Sequence, residues 1–196
     1  MSYLPNILSI LRLILSPIFF LLLISRDSNL IIIAYCLYVF GAITDYLDGF
    51  FARRYNSMSK FGNFFDPLAD KFLTSFAFLA FANFQIINIW LVVIVIFRDL
   101  FTTLMRIYKF ETKSGLITSK TAKWKTFLQM LFIFYVLTII LVYYSKCIDI
   151  SYKLYRELLY SNYIDAMMLI ITAVSVWTLI DYGVTFIAKP KATKKD

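Results

Sequence analysis

The chain has 196 residues, of which 61% are hydrophobic and 19% aromatic, and its formal net charge is +8. A water-soluble domain of this length cannot bury so much apolar surface, so the composition predicts a protein whose solvent is lipid. Histidine is absent, which excludes serine–histidine triads and most zinc sites. The basic residues cluster between apolar segments. We therefore attribute the positive charge to lipid headgroups or phosphorylated substrates, and not to nucleic acid.

Six apolar segments are each long enough to cross a bilayer as a helix, which takes about 20 residues. No repeat, low-complexity tract or interdomain linker separates them, so we expect one all-α membrane domain over residues 1–196. The first segment lacks a basic start and a small-residue cleavage site, so we expect it to be retained as a helix. The predicted helices cover 6–25, 30–53, 61–84, 87–108, 121–146 and 163–187.

Lysine and arginine are unevenly distributed among the connections, and this asymmetry predicts the orientation of the chain. If both termini are cytoplasmic, most of the basic residues in loops and tail also lie on the cytoplasmic side. We therefore expect a multi-pass protein of the cell inner membrane, with residues 45–70 at the cytoplasmic leaflet. The basic residues on the outer side are then Arg26, Lys146, Lys153 and Arg156.

The first predicted helix opens with Pro5-Asn6 and carries Arg12 inside its apolar run. Asn6 is open to two interpretations, as a helix cap or as a residue that helps to hold a nucleotide or diphosphate. Arg12 either extends its charge to the lipid headgroups or contributes to the same site. The sequence favours neither interpretation.

Predicted helices 2 and 3 carry four aspartates within otherwise apolar sequence. Spacings of three and four residues place the two members of each pair on one helix face, and the short turn makes the helices antiparallel neighbours. Carboxylates near lipid need a cation, and an oxygen-only set of donors suits Mg²⁺, Mn²⁺ or Ca²⁺. The pattern therefore predicts a divalent metal site formed by Asp45, Asp48, Asp66 and Asp70.

Two features beside these acids have structural alternatives. Gly49 and Gly62 would let a substrate approach the helix backbone, or would let the two helices pack closely. Asp66 precedes Pro67, a pair typical of a helix start, so Asp66 is open to interpretation as an N-cap.

Predicted helices 4 and 5 carry a second constellation, which is basic. Anchoring at the cytoplasmic face explains most loop lysines, but it does not explain Arg98, which lies inside a predicted span. Arginine holds phosphate through two parallel hydrogen bonds, so the set predicts an anion pocket beside the metal site. Its members are Arg98, Arg106, Lys123 and Lys125.

Residues 45–70 resemble the signature of the CDP-alcohol phosphatidyltransferases, D-x2-D-G-x2-A-R-x8-G-x3-D-x3-D. The resemblance implies a six-helix membrane protein, usually a homodimer, that depends on Mg²⁺ or Mn²⁺ and has its site open to the cytoplasm. The chain meets the signature with Asp45, Asp48, Gly49, Ala52, Arg53, Gly62, Asp66 and Asp70.

The resemblance also implies a role for each of these residues. Asp45, Asp48 and Asp66 would bind the metal ions, and Asp70 would share the second ion and act as general base. The cytidine diphosphate would lie against Asp45, Asp48, Gly49, Ala52, Arg53 and Gly62, with Asn6 as a further candidate.

Three passages are most similar to family members whose acceptor is sn-glycerol 3-phosphate: 5–12, the signature region through Asp66–Lys71, and 123–130. The implied reaction moves a phosphatidyl group from CDP-diacylglycerol to that acceptor, whose phosphate would lie among the four basic residues of helices 4 and 5. Inositol phosphate and phosphatidylglycerol, the latter giving cardiolipin, remain open as acceptors. A cation transporter is a remote alternative, because intramembrane acids are also typical of ion pathways.

Overall fold

A computed structural model describes the backbone of residues 4–55, 60–111, 120–145 and 151–187. Side chains are described for residues 9–44, 68–69, 71–105, 124–145 and 151–181 and for Gly183. The described backbone is helical throughout, apart from short turns, which confirms the all-α prediction. The helices are α1 (Leu4–Ile24), α2 (Ser28–Tyr55), α3 (Lys60–Asn83), α4 (Ile89–Glu111), α5 (Lys120–Ser145), α6 (Tyr152–Leu159) and α7 (Asn162–Ile187).

The six long helices pack side by side as a closed bundle. Each helix contacts the next around the bundle in the order α1, α3, α4, α7, α5 and α2, and α2 contacts α1 to close the ring. Helix α3 also contacts α5 across the middle, and α2 contacts α3. Helix α1 packs against both α2 and α3. The two helices that carry the aspartates therefore contact each other and share α1 as a neighbour.

Aromatic side chains fill the centre of the bundle between α3 and α5. The ring of Phe132 lies 6.1 Å from that of Phe78 and 6.4 Å from that of Phe81, measured between centroids. The outer surface is also apolar, and Trp177, for example, is 68% exposed. An apolar surface of this kind suits contact with lipid or with another copy of the chain.

Two segments of the described chain, Trp124–Ser145 and Tyr152–Asp181, are long and apolar enough to cross a membrane. Shorter apolar helical stretches cover Ser9–Ile24 and Ser28–Thr44. By length and composition these are candidate membrane spans, and the count of six spans and the orientation of the termini stay predictions.

Helix α6 lies between the predicted helices 121–146 and 163–187, where the sequence analysis predicted no helix. The hydroxyl of Ser151 caps its start by accepting a hydrogen bond from the backbone N–H of Lys153 at 3.4 Å. Tyr155 and Leu159 are buried, and the ring of Tyr155 stacks on that of Tyr143 with centroids 3.9 Å apart. The four-residue spacing of these two buried side chains was the available signal for an amphipathic helix.

Candidate active site

Helices α2 and α3 place the two aspartate pairs. Asp45 and Asp48 lie within the continuous helix α2, and Asp66 and Asp70 lie within α3, so each pair shares a helix face as the spacing predicts. Their side chains lie outside the described residues. Because α3 begins at Lys60, Asp66 lies well inside the helix and not at its start. The N-cap interpretation of Asp66 is therefore wrong.

The chemistry of the two pairs fits a divalent cation. Carboxylate oxygens on two rigid helices are the donors that Mg²⁺ and Mn²⁺ prefer. Among the side chains that the structure describes, which do not include the four aspartates, no group of three or more Asp, Glu, Cys or His residues is close enough to hold a metal. The metal roles of the four aspartates stay predictions. So do the nucleotide roles of Asn6 in α1, of Gly49, Ala52 and Arg53 in α2, and of Gly62 in α3.

Side chains of α4 and α5 meet inside the bundle around a buried carboxylate, Asp99, which is 3% exposed. Its Oδ1 atom accepts hydrogen bonds from Arg98 Nη1, at 2.9 Å, and from Lys125 Nζ. Its Oδ2 atom accepts a hydrogen bond from Gln129 Nε2 at 3.2 Å. One carboxylate thus joins two of the four predicted phosphate-binding cations. We call Arg98, Asp99, Lys125 and Gln129 the Asp99 cluster.

Arg98 also connects the cluster to α7. Its Nε atom donates to the backbone oxygen of Ser175 at 3.0 Å, and its Nη2 atom donates to the hydroxyl of Thr178. Within the described part of the chain, these hydrogen bonds use one of the two N–H groups on each terminal nitrogen of the guanidinium. Ser175 and Thr178 were not predicted as partners, although two hydroxyl residues three apart in an apolar helix were a visible signal.

The electrostatics of the cluster favour an anion. Two cations and one carboxylate leave it net positive, and the charge of Lys71 acts on both Asp99 and Lys125. Lys71 directly follows Asp70 in α3. The basic cluster therefore lies near the helix that carries the second acid pair.

The other predicted acceptor residues are placed only by their helices. Arg106 lies in the last part of α4 and Lys123 in the first turn of α5, and their side chains lie outside the described residues. The role of all four basic residues as phosphate ligands stays a prediction.

Arg12 is buried in α1, with 2% of its surface exposed. A guanidinium that extended to the lipid headgroups would be exposed, so the structure does not agree with that interpretation. Since α1 packs against both α2 and α3, the buried charge lies in the helix that the two acid-bearing helices share as a neighbour.

The bundle, its candidate membrane spans and its buried charged cluster are typical of an α-helical membrane protein with a polar site between its helices. A family model described as CDP-alcohol phosphatidyltransferase matches residues 2–180. The match covers most of the chain, and the chain belongs to this family.

Curated relatives give a more particular comparison. The chain is 35% identical over 132 residues to a CDP-diacylglycerol–glycerol-3-phosphate 3-phosphatidyltransferase of Cereibacter sphaeroides, with 64% of this chain and 59% of that protein covered. It is 33% identical over 130 residues to a protein of the same name from Rickettsia typhi, with 66% and 73% covered. A probable cardiolipin synthase (CMP-forming) of Drosophila melanogaster is 42% identical over 98 residues, with 50% and 30% covered.

Proposed function

We propose that this chain transfers the phosphatidyl group of CDP-diacylglycerol to sn-glycerol 3-phosphate, which gives phosphatidylglycerophosphate and CMP. Membership of the family supports the donor, and the names of the bacterial relatives support the acceptor. The observation that carries the proposal is the Asp99 cluster, where Arg98 and Lys125 meet at one buried carboxylate. Paired cations beside the helix of Asp70 suit an acceptor that carries a phosphate.

The proposed donor site is formed by α1, α2 and α3. Mg²⁺ or Mn²⁺ bound by the four aspartates would neutralise the diphosphate and stabilise the charge on the departing CMP. The small residues of the signature leave room for the nucleotide beside the α2 backbone. Arg53 supplies a positive charge there, and Asn6 and Arg12 of α1 are further candidates for contact with the nucleotide diphosphate.

The proposed chemistry is one displacement at phosphorus. Asp70 takes the proton from the primary hydroxyl of the acceptor while the hydroxyl oxygen attacks the phosphorus that carries diacylglycerol. A phosphorus–oxygen bond forms, and the bond from that phosphorus to CMP breaks, so that CMP leaves with the electron pair. Arg98, Arg106, Lys123 and Lys125 hold the acceptor phosphate and so orient the hydroxyl for attack.

The proposed setting is a cytoplasmic (inner) membrane, crossed six times by a single domain, with both termini and the site facing the cytoplasm. In that arrangement the lipid donor reaches the site from the leaflet, and the charged acceptor reaches it from water. The exposed apolar surface of the bundle is available for a homodimer contact, which we include in the proposal.

The Drosophila relative favours one alternative acceptor, phosphatidylglycerol, which would give cardiolipin. That acceptor is a lipid and presents a phosphodiester, whereas the two buried cations of the Asp99 cluster suit a phosphate monoester with two negative charges. Membership of a transferase family removes the support for a cation transporter.

A panel of acceptors tests the proposal. Purified protein is given CDP-diacylglycerol, Mg²⁺ or Mn²⁺, and one of glycerol 3-phosphate, inositol phosphate or phosphatidylglycerol, and CMP release is measured. We expect the highest kcat/KM with glycerol 3-phosphate and no release after chelation of the metal. A higher kcat/KM with either of the other acceptors would contradict the proposal.

A further inference from the structure

The proposed function gives no role to the side-chain oxygen of Gln129, Oε1, in the Asp99 cluster. Gln129 is 1% exposed, and its Oε1 atom is buried without a hydrogen-bond partner among the residues that the structure describes. Its Nε2 atom donates to Asp99 Oδ2 at 3.2 Å. A carboxylate only accepts, so the amide nitrogen must face it, and the amide oxygen is fixed in another direction. Buried acceptor oxygens nearly always have a donor, so this atom indicates a ligand that donates one.

The position of this oxygen ties it to the acceptor site. Gln129 and Lys125 are four residues apart in α5, so they share a helix face, and Asp99 binds both. Arg98 reaches the same carboxylate from α4. The Oε1 atom of Gln129 therefore lies beside the two cations to which the proposed function assigns the acceptor phosphate.

The chemistry of the acceptor supplies a matching donor. Glycerol 3-phosphate has two hydroxyls, and the primary one is consumed as the nucleophile, with its proton going to Asp70. The secondary hydroxyl lies between the nucleophile and the phosphate. It is therefore the hydroxyl nearer to Arg98 and Lys125 when they hold that phosphate.

We propose that Gln129 is a specificity residue of the acceptor site, whose Oε1 atom accepts a hydrogen bond from the secondary hydroxyl of the acceptor. Asp99 is its positioning residue, because it fixes the orientation of the amide. The inference rests on the proposed function, and it adds which part of the acceptor is recognised and by which atom.

An acceptor analogue tests the inference directly. 3-Hydroxypropyl phosphate keeps the phosphate and the primary hydroxyl and lacks the secondary hydroxyl. With CDP-diacylglycerol as donor, the wild-type protein should prefer glycerol 3-phosphate over the analogue by about 10- to 100-fold in kcat/KM, because the analogue leaves the buried Oε1 atom of Gln129 unpaired. Gln129→Met keeps the length of the side chain and removes its hydrogen bonds. In this variant the preference should fall to about threefold or less.

A matched control separates this role from a general effect on folding. Gln85 is exposed in the connection between α3 and α4, and Gln85→Met should keep the preference of the unchanged protein. If Gln129→Met lowers kcat/KM equally for both acceptors, its role is structural and the inference is overturned.

The wild-type protein alone gives a second test, which does not depend on whether any variant folds. Equal use of the two acceptors overturns the inference and leaves the proposed function intact. If glycerol 3-phosphate is not used at all, the proposed function fails and the inference fails with it.

Discussion

Replacement of Asp99 by asparagine removes the one carboxylate at the centre of the cluster. Asp99→Asn keeps the shape of the side chain but leaves Arg98 and Lys125 without an opposite charge among the cluster residues. In the wild-type protein, Arg98, Lys125 and Gln129 donate hydrogen bonds to the two oxygens of Asp99. The asparagine replaces one of these oxygens with an NH2 group, which is itself a donor and cannot accept. Each consequence destabilises the folded state.

The structure allows the size of the effect to be worked out. Removal of one partner of a buried ion pair costs about 3–5 kcal/mol, because the other charge stays buried. The oxygen of the substituted amide would still accept a hydrogen bond, so we take the lower end, about 3 kcal/mol. For a protein of this size, 1 kcal/mol lowers Tm by about 2–4 °C, so we expect a fall of about 6–12 °C.

Thermal unfolding of the detergent-purified protein measures this shift. Asp165→Asn is the matched control, because Asp165 is exposed in the first turn of α7 and loses only a favourable interaction with the helix dipole. That loss is about 0.3–1 kcal/mol, which corresponds to at most about 4 °C in Tm.

A second substitution tests the cause of the loss. Lys125→Met, added to Asp99→Asn, removes the uncompensated ammonium group and should restore at least half of the lost Tm. An Asp99→Asn variant with unchanged Tm would refute the reasoning. A double variant that is less stable than Asp99→Asn would refute it equally.

The remaining predictions concern the proposed roles and one helix contact. Asp70→Asn should lower CMP release by about 100-fold or more while the Tm stays near its original value, and normal turnover would remove Asp70 as the base. Arg106→Ala should raise the KM for glycerol 3-phosphate by about tenfold with little change for CDP-diacylglycerol, and equal changes would remove Arg106 from the acceptor pocket. Gly41→Val should destabilise the chain by about 1–3 kcal/mol, since a Cβ atom there would lie 2.8 Å from Leu73 Cδ2. In the double variant with Leu73→Ala, the combined loss should be smaller than the sum of the two single losses, and additive losses would show that the contact is not the cause.

The helices were predictable because each apolar segment is about as long as a bilayer is thick, and the observed bounds differ from the predicted ones by only a few residues. Helix α6 was missed because it is short and polar on average, so only the spacing of its buried residues distinguishes it. The alternative interpretation of Asp66 as an N-cap is wrong because α3 already begins at Lys60, well before the Asp-Pro pair.

The charged residues show where sequence reasoning reaches its limit. Arg98 was visible because a charge inside an apolar run is costly. Asp99 received no role, since adjacent residues on a helix do not normally face each other. Lys125 and Gln129 reach it from α5 only because α3 and α7 each pack against both α4 and α5. The ring order of the helices, which brings Ser175 and Thr178 to Arg98, is not encoded in any local pattern.

The most direct test of the central claim follows the phosphate of the acceptor. Purified protein receives CDP-diacylglycerol, a divalent cation and glycerol 3-phosphate labelled in its phosphate. The account predicts that the label enters the lipid fraction in a phosphatidylglycerophosphate with one CMP released per label transferred. Release of CMP while the label stays in the aqueous fraction would contradict it.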